Sequence, residues 1–296
     1  MSMNLEGLAL WGGLGATGME SANVVVAGIA YDGSAVYRKG AALAPAHIRA
    51  LSPVMPPVTE MGESLAHIRV HDLGDLDPGP AIETGWEAVA AVLADVPADK
   101  LLTVIGGDHC VDIPILAAQA RRHPDLAVVW VDAHPDLCDQ SRGGRWTCGC
   151  ALRRALEVAG MAPGRAVIAG GRDFDLEEIE FARDSGILLI PAQKLVRDPR
   201  AAGREIARAC AGRPVHISFD IDVLDPAFAP GTEIPSSGGL SSRDALDLLG
   251  AMAEESRLVG LDITEVSPPF DHEDITCLAA LKMIFEFWGM AWKQPT

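Results

Sequence analysis

An α/β fold, with a mostly parallel sheet of about eight strands and helices on both faces, is what this sequence predicts on three observations. First, short runs of Val, Ile, Leu and Ala alternate with longer segments of helical spacing from residue 23 to 288. Second, those runs are apolar at nearly every position, which is the pattern of strands buried on both faces. Third, 49% of the chain is apolar while only 5% is aromatic, a composition suited to helices laid closely on a sheet. No short-period repeat and no dense linker interrupts the 296 residues. One domain over 1–296 is therefore expected, with 1–22 as an N-terminal extension.

Residues 23–30 read as the first strand by their β-branched content, with the turn Tyr31-Asp-Gly-Ser34 after it. Pro45 opens a short helix through 51, and 53–57 is irregular. A short strand is expected at 67–71, then an acidic loop at 72–77. A helix at 81–96, a strand at 101–105 and a helix at 112–122 follow, then a strand at 127–131 and a Gly- and Arg-rich loop at 141–145. Next come a helix at about 149–159, strands at 165–169 and 186–190 around an acidic helix near 175–184, and a helix at 199–210. A strand at 215–219, a Pro-rich loop at 225–231, a helix at 241–254, a strand at 258–264 and a last helix from 274 to about 288 complete the alternation.

Chemistry-bearing residues gather where the buried runs stop. Asp132, His134 and Asp136 recur at every second position, so an extended backbone points all three to one side. Asp220 and Asp222 repeat that spacing after the 215–219 run, and His109 follows the 101–105 run through Gly106-Gly107-Asp108. Carboxylates and imidazoles converging at strand ends need a cation between them, and carboxylates can bridge two ions. Ligands in parallel α/β sheets collect at such carboxyl ends.

A formal charge of -17 argues against nucleic acid or an anionic membrane as a partner and favours small cations. Residues 1–7 lack the basic region of a signal peptide, and the apolar run at 278–292 is too short to span a bilayer, so a soluble cytoplasmic protein is expected. Six cysteines without a C-x-x-C pattern read as reduced thiols and not as a zinc site.

The motifs Gly106-Gly-Asp-His109, Asp132-Ala-His-Pro-Asp136, Ser218-Phe-Asp-Ile-Asp-Val-Leu-Asp-Pro226 and Glu265-Val-Ser-Pro-Pro269 together resemble the ureohydrolases, the family of arginase and agmatinase. Val36-Tyr-Arg-Lys-Gly-Ala41, Pro230-Gly-Thr232, Gly238-Gly-Leu240 and 270–276 look more like the agmatinase type. The resemblance implies a three-layer α/β/α sandwich, a trimeric or hexameric assembly and two Mn2+ per subunit, with Ni2+ or another divalent ion as an alternative. It implies His109, Asp132, Asp136 and Asp220 on one ion and His134, Asp132, Asp220 and Asp222 on the other, bridged by Asp132 and Asp220. The implied reaction is hydrolysis of a small cationic guanidino compound, agmatine-like or arginine-like, to urea and an amine. Asp136 would carry the proton, and Glu265 would hold the guanidinium by charge-assisted hydrogen bonds.

Two departures bear on substrate. Cys148 stands where such chains usually carry His, and a thiol donates weakly. It reads as shaping the substrate site, relaying protons or filling space. Asp173 and Asp175, with Glu178 nearby, resemble acids that receive an amino group in arginases, and they also suit a helix N-terminus. A formimino or other amidine hydrolase, and a weakly active metal-binding homologue, are the alternatives.

Overall fold

In a computed structural model, which describes residues 5, 7–16 and 18–292, eight parallel strands form one sheet. They are β1 Val24–Ile29, β2 Val70–Leu76, β3 Leu101–Ile105, β4 Ala127–Val131, β5 Ala166–Ala169, β6 Leu188–Ile190, β7 Pro214–Asp220 and β8 Arg257–Thr264. Their order is β2-β1-β3-β8-β7-β4-β5-β6. The helices among the described residues are α1 Ala44–Leu51, α2 Ile82–Ala94, α3 Asp112–Arg122, α4 Ala151–Ala159, α5 Leu176–Ser185, α6 Ala192–Leu195, α7 Pro199–Ala209, α8 Ser242–Glu255 and α9 Ile275–Ala291. Residues 1–4 and 6 of the stretch 1–7 read above for a secretion signal lie outside the described residues. No helix of the described residues is long and apolar enough to cross a membrane.

The continuous apolar runs have a simple cause. Alternate residues of strands such as β1 and β4 enter opposite cores. Val24, Val26, Val129, Val131, Ile217 and Phe219 pack with Ile48, Ile206, Leu249 and Ile284 of α1, α7, α8 and α9. Val25, Ala27, Val128 and Trp130 pack with Leu93, Leu116 and Leu152 of α2, α3 and α4. A fully buried Val, Leu, Ile or Phe among them contributes about 1.5–3 kcal/mol, so both layers depend on the apolar side chains of these strands.

The expected strand at 67–71 and acidic loop at 72–77 are corrected: β2 begins at Val70 and runs through 72–76, leaving only Asp77 of the loop outside it. This strand lies at the sheet edge, where exposure tolerates acids that a central strand would exclude. Arg49 of α1 pairs with Asp72 at 2.8 Å and Asp75 at 2.7 Å, and Trp11 Nε1 donates to Asp72 at 2.9 Å. The strand is thereby held by side-chain pairs that its own composition does not signal. The four-residue α6 was not anticipated either.

The chain order fixes where a site can form. Strands β3, β8, β7 and β4 are neighbours, and the chain leaves their carboxyl ends at His109, Glu265, Asp220–Asp222 and Asp132–Asp136 respectively. A crevice outside strand ends, where the order of connection reverses, is where such sheets bind ligands.

Candidate active site

Gly106 and Gly107 carry the chain from β3 to His109. A Cβ on Gly107 would stand 1.7 Å from the Tyr31 carbonyl oxygen, so only glycine lets the two backbones approach. The 3-10 turn His109–Val111 then begins with the Asp108 side chain accepting from the Cys110 N–H. The His109 ring stacks on Trp130 of β4, with centroids 3.8 Å apart and planes 10° apart. Trp130 Nε1 in turn donates to Asp132 Oδ2 at 2.9 Å. One indole thus orients two site residues.

The acids and imidazoles meet, but not along the extended backbone expected: the chain bends at 132–134 beyond β4, Asp136 is left-handed, and Asp222 sits in the 3-10 turn Ile221–Val223. His109 Nδ1 lies 3.0 Å from Asp132 Oδ2, 3.1 Å from Asp220 Oδ2 and 3.3 Å from Asp136 Oδ2. His134 Nδ1 lies 3.0 Å from Asp222 Oδ2 and 3.5 Å from Asp132 Oδ1. Asp132 therefore presents one oxygen to each group. His109, Asp132 and Asp220, and Asp132, His134 and Asp222, each place ligand atoms within 4.8 Å of one another.

These residues fit a pair of divalent ions. His109 Nδ1 is buried without a hydrogen-bond partner although three carboxylates face it. Ligand atoms about 3 Å apart are the separation of neighbouring positions around an ion with bonds of about 2.1 Å. Oxygen and imidazole donors together suit Mn2+, Ni2+ or a related ion. Asp220 Oδ1 already accepts from the Asp222 N–H at 2.7 Å, and Asp132 Oδ1 from the His134 N–H at 2.7 Å, so the backbone fixes both carboxylates.

Electrostatics show how much charge the cluster holds. Burial opposes charge on both imidazoles, yet Asp132, Asp136 and Asp220 outweigh it and hold His109 well above its ordinary range. Asp222 and Asp132 do the same to His134. Burial and the charge of Asp132 push Asp136 up to about 7. Burial, then Asp222 and Asp132, push Asp220 far up. Without metal the imidazoles therefore keep their protons near neutrality, and ligation must displace them. Metal affinity is expected to rise with pH between about 6 and 8, with proton release on binding. Calorimetry in buffers of different ionisation enthalpy measures it; a pH-independent affinity contradicts the assignment.

Asp136 and Glu265 both adopt left-handed backbone angles, φ 54° and 62°. Such conformations in residues other than glycine are costly and concentrate at functional sites. The Glu265 Oε1 accepts the His109 N–H at 2.7 Å, while its Oε2 is buried with no partner. Burial, then Asp220 and Glu233, raise its carboxyl well above the usual range.

Cys148 is buried beside Glu265. Its Sγ lies 3.6 Å from Glu265 Oε1 and 3.7 Å from Glu233 Oε2. Contact with Cys110 and burial push the thiol far up, so it stays protonated and donates. Glu233 was missed in the sequence. Its Oε1 accepts the N–H groups of Val36 and of Tyr37, the latter at 2.8 Å, across nearly two hundred residues. Its place just after the Pro-rich loop at 225–231 gave no signal of that.

The expected substrate acids separate. Asp175 forms a capping box with Glu178 at the start of α5, and Glu178 also accepts the Leu137 N–H at 2.9 Å. Asp173 instead takes the Ser236 hydroxyl at 2.6 Å and approaches His134 Nε2 at 4.0 Å. Both line a cavity of about 320 Å³ with His109, His134, Asp136, Cys148, Glu233 and Glu265.

Residues 22–289 match the model of the arginase family. An agmatinase of Bacillus cereus is 34% identical over 90% of this chain and 91% of its own. A guanidinopropionase of Pseudomonas aeruginosa is 37% identical over 88% and 83%. A Trypanosoma cruzi formiminoglutamase, solved with Mn2+, superposes with a TM-score of 0.87 at 25% identity, covering 95% and 97%. With eight parallel strands, ligand-type residues at four neighbouring strand ends and a match spanning nearly its whole length, the chain belongs to the arginase family.

Proposed function

We propose that this protein is a dinuclear-metal amidinohydrolase that cleaves the guanidino C–N bond of a linear guanidino compound to urea and an amine. The observation that carries the reading is Glu265 Oε2, a buried carboxylate oxygen without a donor, beside a cluster built to hold cations. A guanidinium supplies the missing N–H donors in a planar fork. His109, Asp132, Asp136 and Asp220 would hold one ion, and His134, Asp132, Asp220 and Asp222 the other. Bound there, two Mn2+ or similar ions supply the positive charge that lets water ionise near neutral pH.

The chain's own residues do the rest. Glu265 fixes the guanidinium plane, and the Cys148 thiol and the His109 N–H hold the Glu265 Oε1 in place. As oxygen from water bonds to the guanidino carbon and the C–N bond breaks, Asp136 is placed to take the water's proton and pass it to the departing nitrogen. The tail of the substrate lies toward the mouth, where Asp173 and Asp175 favour a cationic group; Arg142 is the one arginine or lysine among the described lining residues. An agmatine-like tail therefore suits the cavity better than an acidic one.

A second reading, hydrolysis of a formimino group, is favoured by one observation: Cys148 offers a weak donor where the reaction on guanidinium calls for a stronger one. Protein loaded with Mn2+, then with Ni2+, should release urea from one member of a panel of agmatine, arginine, guanidinopropionate and guanidinobutyrate. An amide product from formiminoglutamate instead supports the second reading. Silence with every compound, from protein that holds both ions, overturns both. Light scattering tests the trimer or hexamer that belongs to the same proposal.

A further inference from the structure

Behind His109, on the side away from the cavity, lies a second buried polar cluster that the proposed reaction does not use. Asp112, His216 and Asp262 are fully buried, and so are Ser218 and Gln119. Both oxygens of Asp112 and one oxygen of Asp262 have no donor. Such groups persist in a protein interior only when something needs them there.

The hydrogen bonds run inward from Arg122 to Asp262. Arg122 at the end of α3 donates Nε to the Val96 carbonyl at 2.9 Å, and Nη2 to the carbonyls of Pro97 at 3.0 Å and Lys100 at 2.7 Å. Its Nη1 donates to Gln119 Oε1. The Gln119 oxygen is thus taken, and its Nε2 must donate to His216 Nδ1 at 2.7 Å. With Nδ1 an acceptor, the His216 proton sits on Nε2 and goes to Asp262 Oδ2 at 2.6 Å. Ser218 stands opposite Asp262 in the register of β7 on β8, where its hydroxyl partly offsets the burial that raises the Asp262 carboxyl, and its Oγ is 2.9 Å from His109 Nε2. Asp112 Oδ2 lies 3.6 Å from the same nitrogen.

A cation among Asp112, His216 and Asp262 would need a lone pair from His216. Both ring nitrogens are already engaged, so the cluster works as a hydrogen-bonded chain. Gly260 provides independent support. A Cβ there would stand 2.2 Å from Gln119 Nε2 and 2.4 Å from His216 Nδ1, so glycine leaves the space that this one hydrogen bond occupies.

We infer that the chain Arg122–Gln119–His216–Asp262–Ser218 is a positioning relay. Once an ion displaces the Nδ1 proton, the relay would keep the remaining His109 proton on Nε2 and Nδ1 directed toward Asp132, Asp136 and Asp220, and so set the metal affinity of that half of the site. The physical basis is general: a ligating histidine whose other nitrogen is hydrogen-bonded is fixed in tautomer and made more basic, and loss of such a partner costs about 10–100-fold in metal affinity. Here the pull originates in a buried carboxylate, Asp262, itself oriented through His216 and Gln119 by a buried guanidinium. This inference rests on the metal-centre reading above.

The test is equilibrium binding of Mn2+ to the chelator-treated full chain, followed by its two affinities. In Ser218→Ala and in Asp262→Asn, one affinity is expected to fall by about 10–100-fold while the other changes little. The double variant should fall no further than either single one, because both act through one link. Gly260→Ala, which touches no residue of the cavity, should weaken the same ion. If the metal-free variants melt lower than wild type but bind both ions as tightly, the cluster is only packing and the inference fails. Additive losses in the double variant overturn it as well. A wild-type chain that binds no pair of ions would instead sink the metal-centre reading, which this comparison keeps separate.

Discussion

Asp132→Asn is expected to leave a folded protein that has lost at least one metal ion per chain and nearly all urea release. Asp132 presents Oδ2 to His109 at 3.0 Å and Oδ1 to His134 at 3.5 Å. The same two oxygens accept the Trp130 indole and the His134 N–H. Asparagine keeps the shape but turns an NH2 toward one of those donors and toward one ion, so no rotamer satisfies both sides. A metal ion contributes several kcal/mol to such a barrier, and a loss of that size lowers kcat by a factor of about 1000 or more. Elemental analysis and urea assay of the same sample measure both effects. Full metal content with near-normal turnover would contradict the role of Asp132 as the shared ligand.

Glu265→Gln is expected to separate chemistry from metal binding. Glutamine can still accept the His109 N–H through its oxygen, so the local backbone keeps its anchor. What is lost is the negative charge facing the guanidinium. Removing one partner of a buried, hydrogen-bonded charge pair costs about 2–5 kcal/mol, so kcat/KM should fall by roughly 30-fold to several thousand-fold. Both ions should remain. Steady-state kinetics and metal analysis on one preparation decide it, and an unchanged kcat/KM removes Glu265 from the substrate site.

The parts of this fold that were legible in the sequence are those fixed by local physics. Buried runs at 24–29, 101–105 and 127–131 read as strands because both of their faces meet apolar layers. The period-two residues Asp132, His134 and Asp136, and Asp220 and Asp222, read as a cluster from their spacing, although turns beyond the strand ends, and not extended backbone, bring them together. What stayed hidden depends on contacts remote in sequence. β2 is acidic because Arg49 and Trp11 come to meet it. Glu233 enters the site because the N–H groups of Val36 and Tyr37 face its carboxylate from another loop. His216 and Asp262 resemble ordinary strand residues until the register of β7 on β8 places them around Ser218. Asp175 shows the converse: the helix-capping chemistry visible in the sequence is what the side chain does.

Everything proposed about hydrolysis depends on a pair of cations between His109 and His134. Equilibrium dialysis of the chelator-treated protein against increasing Mn2+, with metal and chain quantified in the same samples, is the most direct measurement. Saturation at two ions per chain is the expected result. Saturation at one ion, or at none, would contradict the dinuclear centre.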